Sequence, residues 1–232
     1  GILKRYYNYD NIDFFLLPDV KQKYQKESLD LLQIDFKKRL SSLNYRHISA
    51  DQIITVDHPY VINNNATEAI TKIPKWIITW LKQEFLKNLK EDPNDKLPKK
   101  FYIDRKDSTS NRAHLRKIIN ENEIKEYLKE KKYEPVSLGH FDFIDQIRLF
   151  KNAESIIGLH GAGFANVIFC NPKTKILELK PHSSGEVIKN LSSSNELQYF
   201  NISIKPESNN NNDQFGHINV PINSLEKVLK NF

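Results

Sequence analysis

The chain of 232 residues contains no methionine, one cysteine (Cys170) and only 7 glycines. A single thiol cannot close an intramolecular disulfide or build a cysteine-rich metal site, and it fits a reducing compartment. The missing methionine means either that an initiator was removed ahead of Gly1 or that the chain is a segment of a longer protein. No stretch approaches the roughly 20 apolar residues that a membrane span needs, and no signal-peptide pattern opens the sequence. The seven histidines show neither H-x-x-x-H nor H-E-x-x-H spacing, and Asp10 and Asp13 in "YDNID" are a weak carboxylate pair, so no metal site is expected. The nucleophile elbow G-x-S-x-G is absent, which removes a serine-esterase reading. There is no internal repeat. The net charge is +6, but the lysines are scattered without a long basic run or interleaved aromatics, so nucleic acid is not an expected partner. Three N-x-S/T triplets, at Asn65, Asn190 and Asn201, are what an asparagine-rich composition produces by chance.

What is present is core material. Hydrophobic residues make up 39% of the chain, with 13 Phe, 10 Tyr and 2 Trp, enough for a sizeable folded interior. The first hundred residues read as helix-rich. The spacing of Val20, Tyr24, Leu31 and Leu32 predicts a helix over 19–33, starting at Pro18-Asp19. One or two short strands are expected within 46–59. A strongly amphipathic helix is expected over 73–90, with Trp76, Ile77, Trp80, Leu81 and Phe85 as its stripe. The proline-bearing stretch "EDPNDKLPKK" (91–100) is a linker, which divides the chain into a helix-rich part, 1–98, and a second part, 99–232.

In the second part, strand and helix alternate. "KFYIDR", "EPVSLG", "ESIIGLH" and "TKILELK" read as strands, with helices over 120–133, around "DFIDQIRLFKNA" and in "PINSLEKVLKNF", and "SSGEVIKNLSSSNELQYFNISI" suggests a helix and a further strand. Such alternation predicts an α/β fold, a Rossmann-like parallel sheet with crossover helices, whose ligands bind beyond the carboxyl ends of the strands. Both "YIDR" and "IIGLHGAG" place their polar residues at that end.

"SIIGLHGAGFAN" (155–166) is the stretch most suggestive of chemistry. Gly161, Ala162 and Gly163 form a small-residue turn between a strand and a helix start, where unpaired N–H groups suit an anion. The pattern is one residue short of a dinucleotide fingerprint, with Glu178 ending the next strand as a possible ribose contact. The helix is too short for the usual unit of about 30 residues, which weighs against an NAD-dependent oxidoreductase. Cys170 follows "VIF" and reads as a small hydrophobe. Arg105, Arg112 and Arg116 follow "KFYID", and guanidinium groups grip phosphate oxygens bidentately. A diphosphate could meet amides on one side and arginines on the other.

Taken in order, these pieces resemble glycosyltransferase family 61. The pieces are "YIDR" (Arg105), "RKIINENE" (Arg116, Asn120, Glu121), "DFIDQIRLF" (142–150), "IIGLHGAGFANVIF" (156–169) and "ILELKP" (176–181). That family includes protein O-linked N-acetylglucosaminyl- and xylosyltransferases and many bacterial capsule-type enzymes. The loop after Arg105 is longer than its usual pattern, which leaves Arg112 and Arg116 both open as the second arginine. The resemblance implies an inverting, metal-independent transferase of GT-B type, with two facing Rossmann-like domains and no cofactor beyond the nucleotide-sugar donor, commonly a UDP-sugar. It implies donor contacts from Arg105, Arg112, Arg116, Asn120, Glu121, Gly161, Ala162, Gly163, Asn166 and Glu178, with His160 as the candidate catalytic base. The acceptor would be a glycan or a protein, and a non-catalytic nucleotide-binding or scaffold domain is the alternative. The acceptor-side domain is expected to be wholly or partly supplied by a longer parent protein. The expected location is cytoplasmic, or the Golgi or ER lumen in a eukaryote.

Overall fold

The structure is a computed structural model, and it describes residues 1–56, 66–87, 89–90, 96–106, 116–207 and 216–232. The amino-terminal part is helix-rich but differs in detail from the sequence expectation. It comprises α1 (Ile2–Tyr6), β1 (Phe15–Leu17), α2 (Lys23–Leu31), β2 (Arg39–Ser41), α3 (Ala66–Thr71) and α4 (Lys75–Leu86). α2 begins later than Asp19 because Gln22 and Gln25 cap it reciprocally, the Gln25 side chain accepting from the Gln22 N–H at 2.9 Å. Tyr24, placed on the apolar face by spacing, is exposed. The strands expected within 46–59 do not form over 46–56, and 57–59 lie outside the described residues. Instead β1 and β2 pair in parallel, Phe15 opposite Arg39. Three-residue strands are too short for alternation to reveal them.

After the linker the chain builds one five-stranded parallel sheet. Its strands are β3 (Lys100–Asp104), β4 (Glu134–Ser137), β5 (Ser155–Leu159), β6 (Lys175–Pro181) and β7 (Gln198–Ile204). The spatial order is β4-β3-β5-β6-β7, every pair parallel. α5 (Glu121–Glu130) and α8 (Ile222–Leu229) cover one face, packing Ile124, Leu128 and Leu225 against Tyr102, Ile157, Leu177 and Leu179. The other face, Phe101, Ile103, Ile156 and Ile176, is covered by α6 (Phe143–Lys151), a 3₁₀ segment (Ala162–Phe169), α7 (Val187–Ser194) and α4. Strands covered on both faces must be apolar on both, which is why "FYI" and "SIIGL" read as unbroken buried runs. The fold is therefore α/β with a parallel sheet and helices on both faces. β3 sends its chain outward to β4, whereas β5 lies on its other side. A topological switch point thus sits between the carboxyl ends of β3 and β5, where such sheets open a crevice.

α4 joins this core through Ile78 and Phe85, and Trp76 of the expected stripe is exposed. Phe85 meets Phe143 and Phe169 edge-on, with ring centroids 5.4 and 6.0 Å apart. A polar knot backs the contact. Asn195 donates to the Val167 and Cys170 carbonyls at 2.9 and 3.0 Å, and Lys82 of α4 donates to the Asn195 side-chain oxygen at 3.0 Å. The Val167 carbonyl already accepts the Cys170 N–H at 3.1 Å, so the side-chain bonds from Asn195 fasten the end of the 3₁₀ segment and give the buried Cys170 carbonyl a donor. Cys170 is fully buried, and burial pushes its thiol far above the ordinary range, as expected of a packing residue rather than a nucleophile.

Phe85→Ala should destabilise the fold by about 3–5 kcal/mol, the usual cost of emptying a buried phenyl site. Both tryptophans lie in α4. Tryptophan fluorescence and far-ultraviolet dichroism should therefore give one coincident urea transition that shifts together in the variant.

Candidate functional site

The switch point collects the charged residues that follow β3 and β5. Arg105 follows the end of β3, and Arg116 stands two residues before Ile118, which bridges Ile218. The Arg116 guanidinium donates to the His160 carbonyl at 2.8 Å, and Arg105 approaches the Arg116 carbonyl at 3.4 Å. Arg116 is half-buried, and desolvation depresses its pKa. The neighbouring Arg105 charge pushes the same way, and Glu178 opposes it. A guanidinium stays charged through such a shift. Two like charges held together and partly dried therefore gain from an arriving anion.

His160 directly follows β5 with its backbone fixed on both sides: its N–H donates to the Leu179 carbonyl at 2.8 Å, and its own carbonyl takes the Arg116 bond. Its ring Nδ1 is hydrogen-bonded to Glu178 Oε1. The other carboxylate oxygen, Oε2, accepts from the Tyr199 hydroxyl of β7. Glu178 has no exposed surface, while the His160 side chain keeps 16% of its own. Burial, reinforced by the Glu178 hydrogen bond and charge, raises the Tyr199 pKa, so its phenol keeps its proton and remains a donor. Both Glu178 oxygens are thus taken by protein groups, and the carboxylate acts on the crevice through His160 rather than by direct contact.

The glycine turn is built by packing more than by backbone conformation. Gly161 has φ 168°, extended backbone open to any residue, and a Cβ there would approach nothing closer than the Leu159 carbonyl at 3.7 Å. Gly163 lies against Leu138 and Ile103, at 3.0 and 3.3 Å from where a Cβ would stand. Gly158 has the less yielding neighbour: a Cβ there would stand 3.1 Å from Ile103 Cβ, an atom tied to its backbone, and 3.3 Å from the Phe164 ring, whereas Gly163 meets the flexible end of Leu138. The turn leads into the 3₁₀ segment rather than an α-helix, so the aligned dipole of a long helix is not available to an anion. Its first N–H groups, at Ala162 and Gly163, still have no partner within the segment.

Other residues singled out by sequence stand elsewhere. Asn120 ties the start of α5 to the carboxyl-terminal segment, donating to the Val220 carbonyl at 2.8 Å and accepting from its N–H at 2.9 Å. Glu121 accepts from the Tyr102 hydroxyl at 2.8 Å and pairs with Lys125 at 3.4 Å; Lys125 also pairs with the buried Asp104 at 2.9 Å. Asn166 donates to Gln146 at 2.9 Å, and Gln146 donates to the Leu138 carbonyl at 2.9 Å, which holds the 3₁₀ segment on α6. Arg112 lies outside the described residues. The structure thus brings together Arg105, Arg116, His160, Gly161 and Glu178. It adds Tyr199, which sequence reasoning missed because nothing local marks a tyrosine in an ordinary strand. Only the β6–β7 register, Ile176 opposite Tyr199 and Glu178 opposite Asn201, puts that phenol diagonally next to Glu178.

Gly158→Ala should cost about 1–3 kcal/mol through overpacking. Gly161→Ala should stay within about 0.5 kcal/mol of the parent, the range of an unconstrained surface change. Urea denaturation of the two variants side by side checks the contrast.

Comparison with known proteins adds an independent finding. No curated protein matches the chain. A family model, Glycosyltransferase 61, matches residues 9–177, which takes in α2, α4, the β3–β5 crevice, His160 and the 3₁₀ segment. With most of its length matched, the chain belongs to glycosyltransferase family 61.

Proposed function

We propose that this chain forms the donor-binding part of an inverting glycosyltransferase of GT-B type that takes its sugar from a nucleoside diphosphate sugar, with UDP as the favoured nucleotide. The observation that carries the reading is the convergence of Arg105 and Arg116 on the β3–β5 switch point. The two guanidinium groups would hold the diphosphate and stabilise the charge that grows on it as the sugar departs. The Ala162 and Gly163 N–H groups offer further donors at the same rim. We assign the charge of the diphosphate to the two arginines, whose guanidinium groups suit phosphate oxygens. His160, on the rim, is the candidate base for the acceptor hydroxyl.

The GT-B reading has its support in the amino-terminal part. Among the described residues β1 and β2 form a two-stranded parallel sheet beside exposed Phe14, Leu16 and Phe36. Parallel pairs are at home inside larger covered sheets. A second α/β unit, contributed by further domains of a longer parent, would complete this pair and bring the acceptor, a glycan or a protein.

Calorimetric titration of the chain with UDP, GDP and CMP tests the proposal. UDP should bind, more weakly at raised salt. Arg105→Ala and Arg116→Ala should each weaken it by about tenfold or more, the scale of a lost charge-assisted hydrogen bond. Binding of none of the three nucleotides would overturn the reading.

A further inference from the structure

We infer that Glu178 and Tyr199 are positioning residues that hold His160 in the tautomer protonated at Nδ1, so that Nε2 meets the crevice as a proton acceptor; the inference builds on the transferase reading of the same site. It rests on counting donors. An ionised carboxylate only accepts hydrogen bonds. At Oε2 the proton comes from the Tyr199 hydroxyl, and at Oε1 the partner is His160 Nδ1, which must therefore carry the proton of that bond. The ring cannot turn over without giving up this bond and leaving a fully buried carboxylate oxygen unsatisfied. The backbone is pinned too, between the Leu179 carbonyl and the Arg116 guanidinium. Nε2 lies on the opposite side of the ring from the buried carboxylate, on a side chain that retains some exposure.

This arrangement selects what faces His160. A bare Nε2 offers a lone pair, which repels a phosphate oxygen and accepts from a hydroxyl. The diphosphate is therefore left to Arg105 and Arg116, and the group opposite Nε2 is a hydroxyl. If that hydroxyl belongs to the acceptor, the transfer step balances without another reagent. Its oxygen forms the bond to the anomeric carbon, and the bond from that carbon to the diphosphate oxygen breaks. The electron pair of that bond leaves with the diphosphate, and the hydroxyl proton passes to Nε2. The arrangement is that of a base whose tautomer is set by a buried acid, with the phenol holding the acid in turn.

The test is imidazole ¹H–¹⁵N NMR on the ¹⁵N-histidine-labelled chain at about pH 8, above the ordinary imidazole range. The His160 signals are assigned by their loss in His160→Asn. In the parent, the Nδ1-protonated form should exceed the Nε2-protonated form by about tenfold or more, the ratio that one charge-assisted hydrogen bond supports. Glu178→Gln, whose amide can donate as well as accept, should lower that ratio severalfold. Tyr199→Phe, which preserves the ring's shape, should lower it in the same direction. An Nε2-protonated or doubly protonated ring in the parent would overturn the inference, and so would variants indistinguishable from the parent. Should Glu178→Gln fail to fold, the parent spectrum and Tyr199→Phe decide the matter. UDP titration of the same samples reads the nucleotide proposal separately: a parent that shows the Nδ1 tautomer yet binds no nucleotide retains the His160 geometry and loses the donor assignment.

Discussion

A carboxylate with no exposed surface sits in the middle of the sheet, and the crevice is organised around keeping it satisfied. Burying such a group without partners costs several kcal/mol, whereas burying it with hydrogen bonds to both oxygens is sustainable. Glu178 has those bonds only because three strands run in parallel and in one register. Ile103, Gly158 and Glu178 form a single row across β3, β5 and β6. The missing side chain at Gly158 leaves a gap in that row, and the Phe164 ring fills it. This lets the 3₁₀ segment lie close to the sheet after the His160 turn. Replace the glycine and the ring must move, taking with it the segment next to the site.

The two faces of the sheet carry different polar work. On the α5 side, Asp104, Lys125, Glu121 and the Tyr102 hydroxyl form a closed set of bonds, and Asn120 fastens α5 to Val220. These groups satisfy one another and fix the frame. On the α6 side, the polar set made by His160, Glu178 and Tyr199 is open at one end, where the His160 ring reaches the rim beside two guanidinium groups. A network closed on itself fixes the frame, whereas a polar set that reaches the rim beside arginines is placed to meet a ligand.

Legibility in the sequence followed element length. The parallel sheet was readable because its three central strands, β3, β5 and β6, are near-continuous apolar stretches buried on both faces, and the mixed edge strands β4 and β7 alternate with helical spacings around them. β1 and β2, three residues each, left no such trace, and the stretch near 46–56 carried β-branched residues that find no partner strand. The α2 start was displaced because glutamine side chains, weak capping signals in sequence, formed the box at Gln22 and Gln25. At the site, Arg105, Arg116 and His160 could be nominated from position, since they lie at or after the carboxyl ends of the strands expected to open the crevice. Asn120, Glu121 and Asn166 lie in the same motifs, yet their side chains turn to Val220, Tyr102 and Gln146.

The sequence by itself determined the α/β class, the order of strands and helices after the linker, and the family to which the chain belongs, because these rest on local periodicity and on residues close together in the chain. Only the tertiary structure decided that Glu178 is a buried partner of His160 instead of a surface contact, that Tyr199 completes the pair, and that Gly158 rather than Gly161 carries the tight steric requirement. Each of those depends on strand register and on the close approach of segments distant in sequence. Alternating apolar residues say which faces are buried, but they do not say which side chain from the next strand will stand opposite.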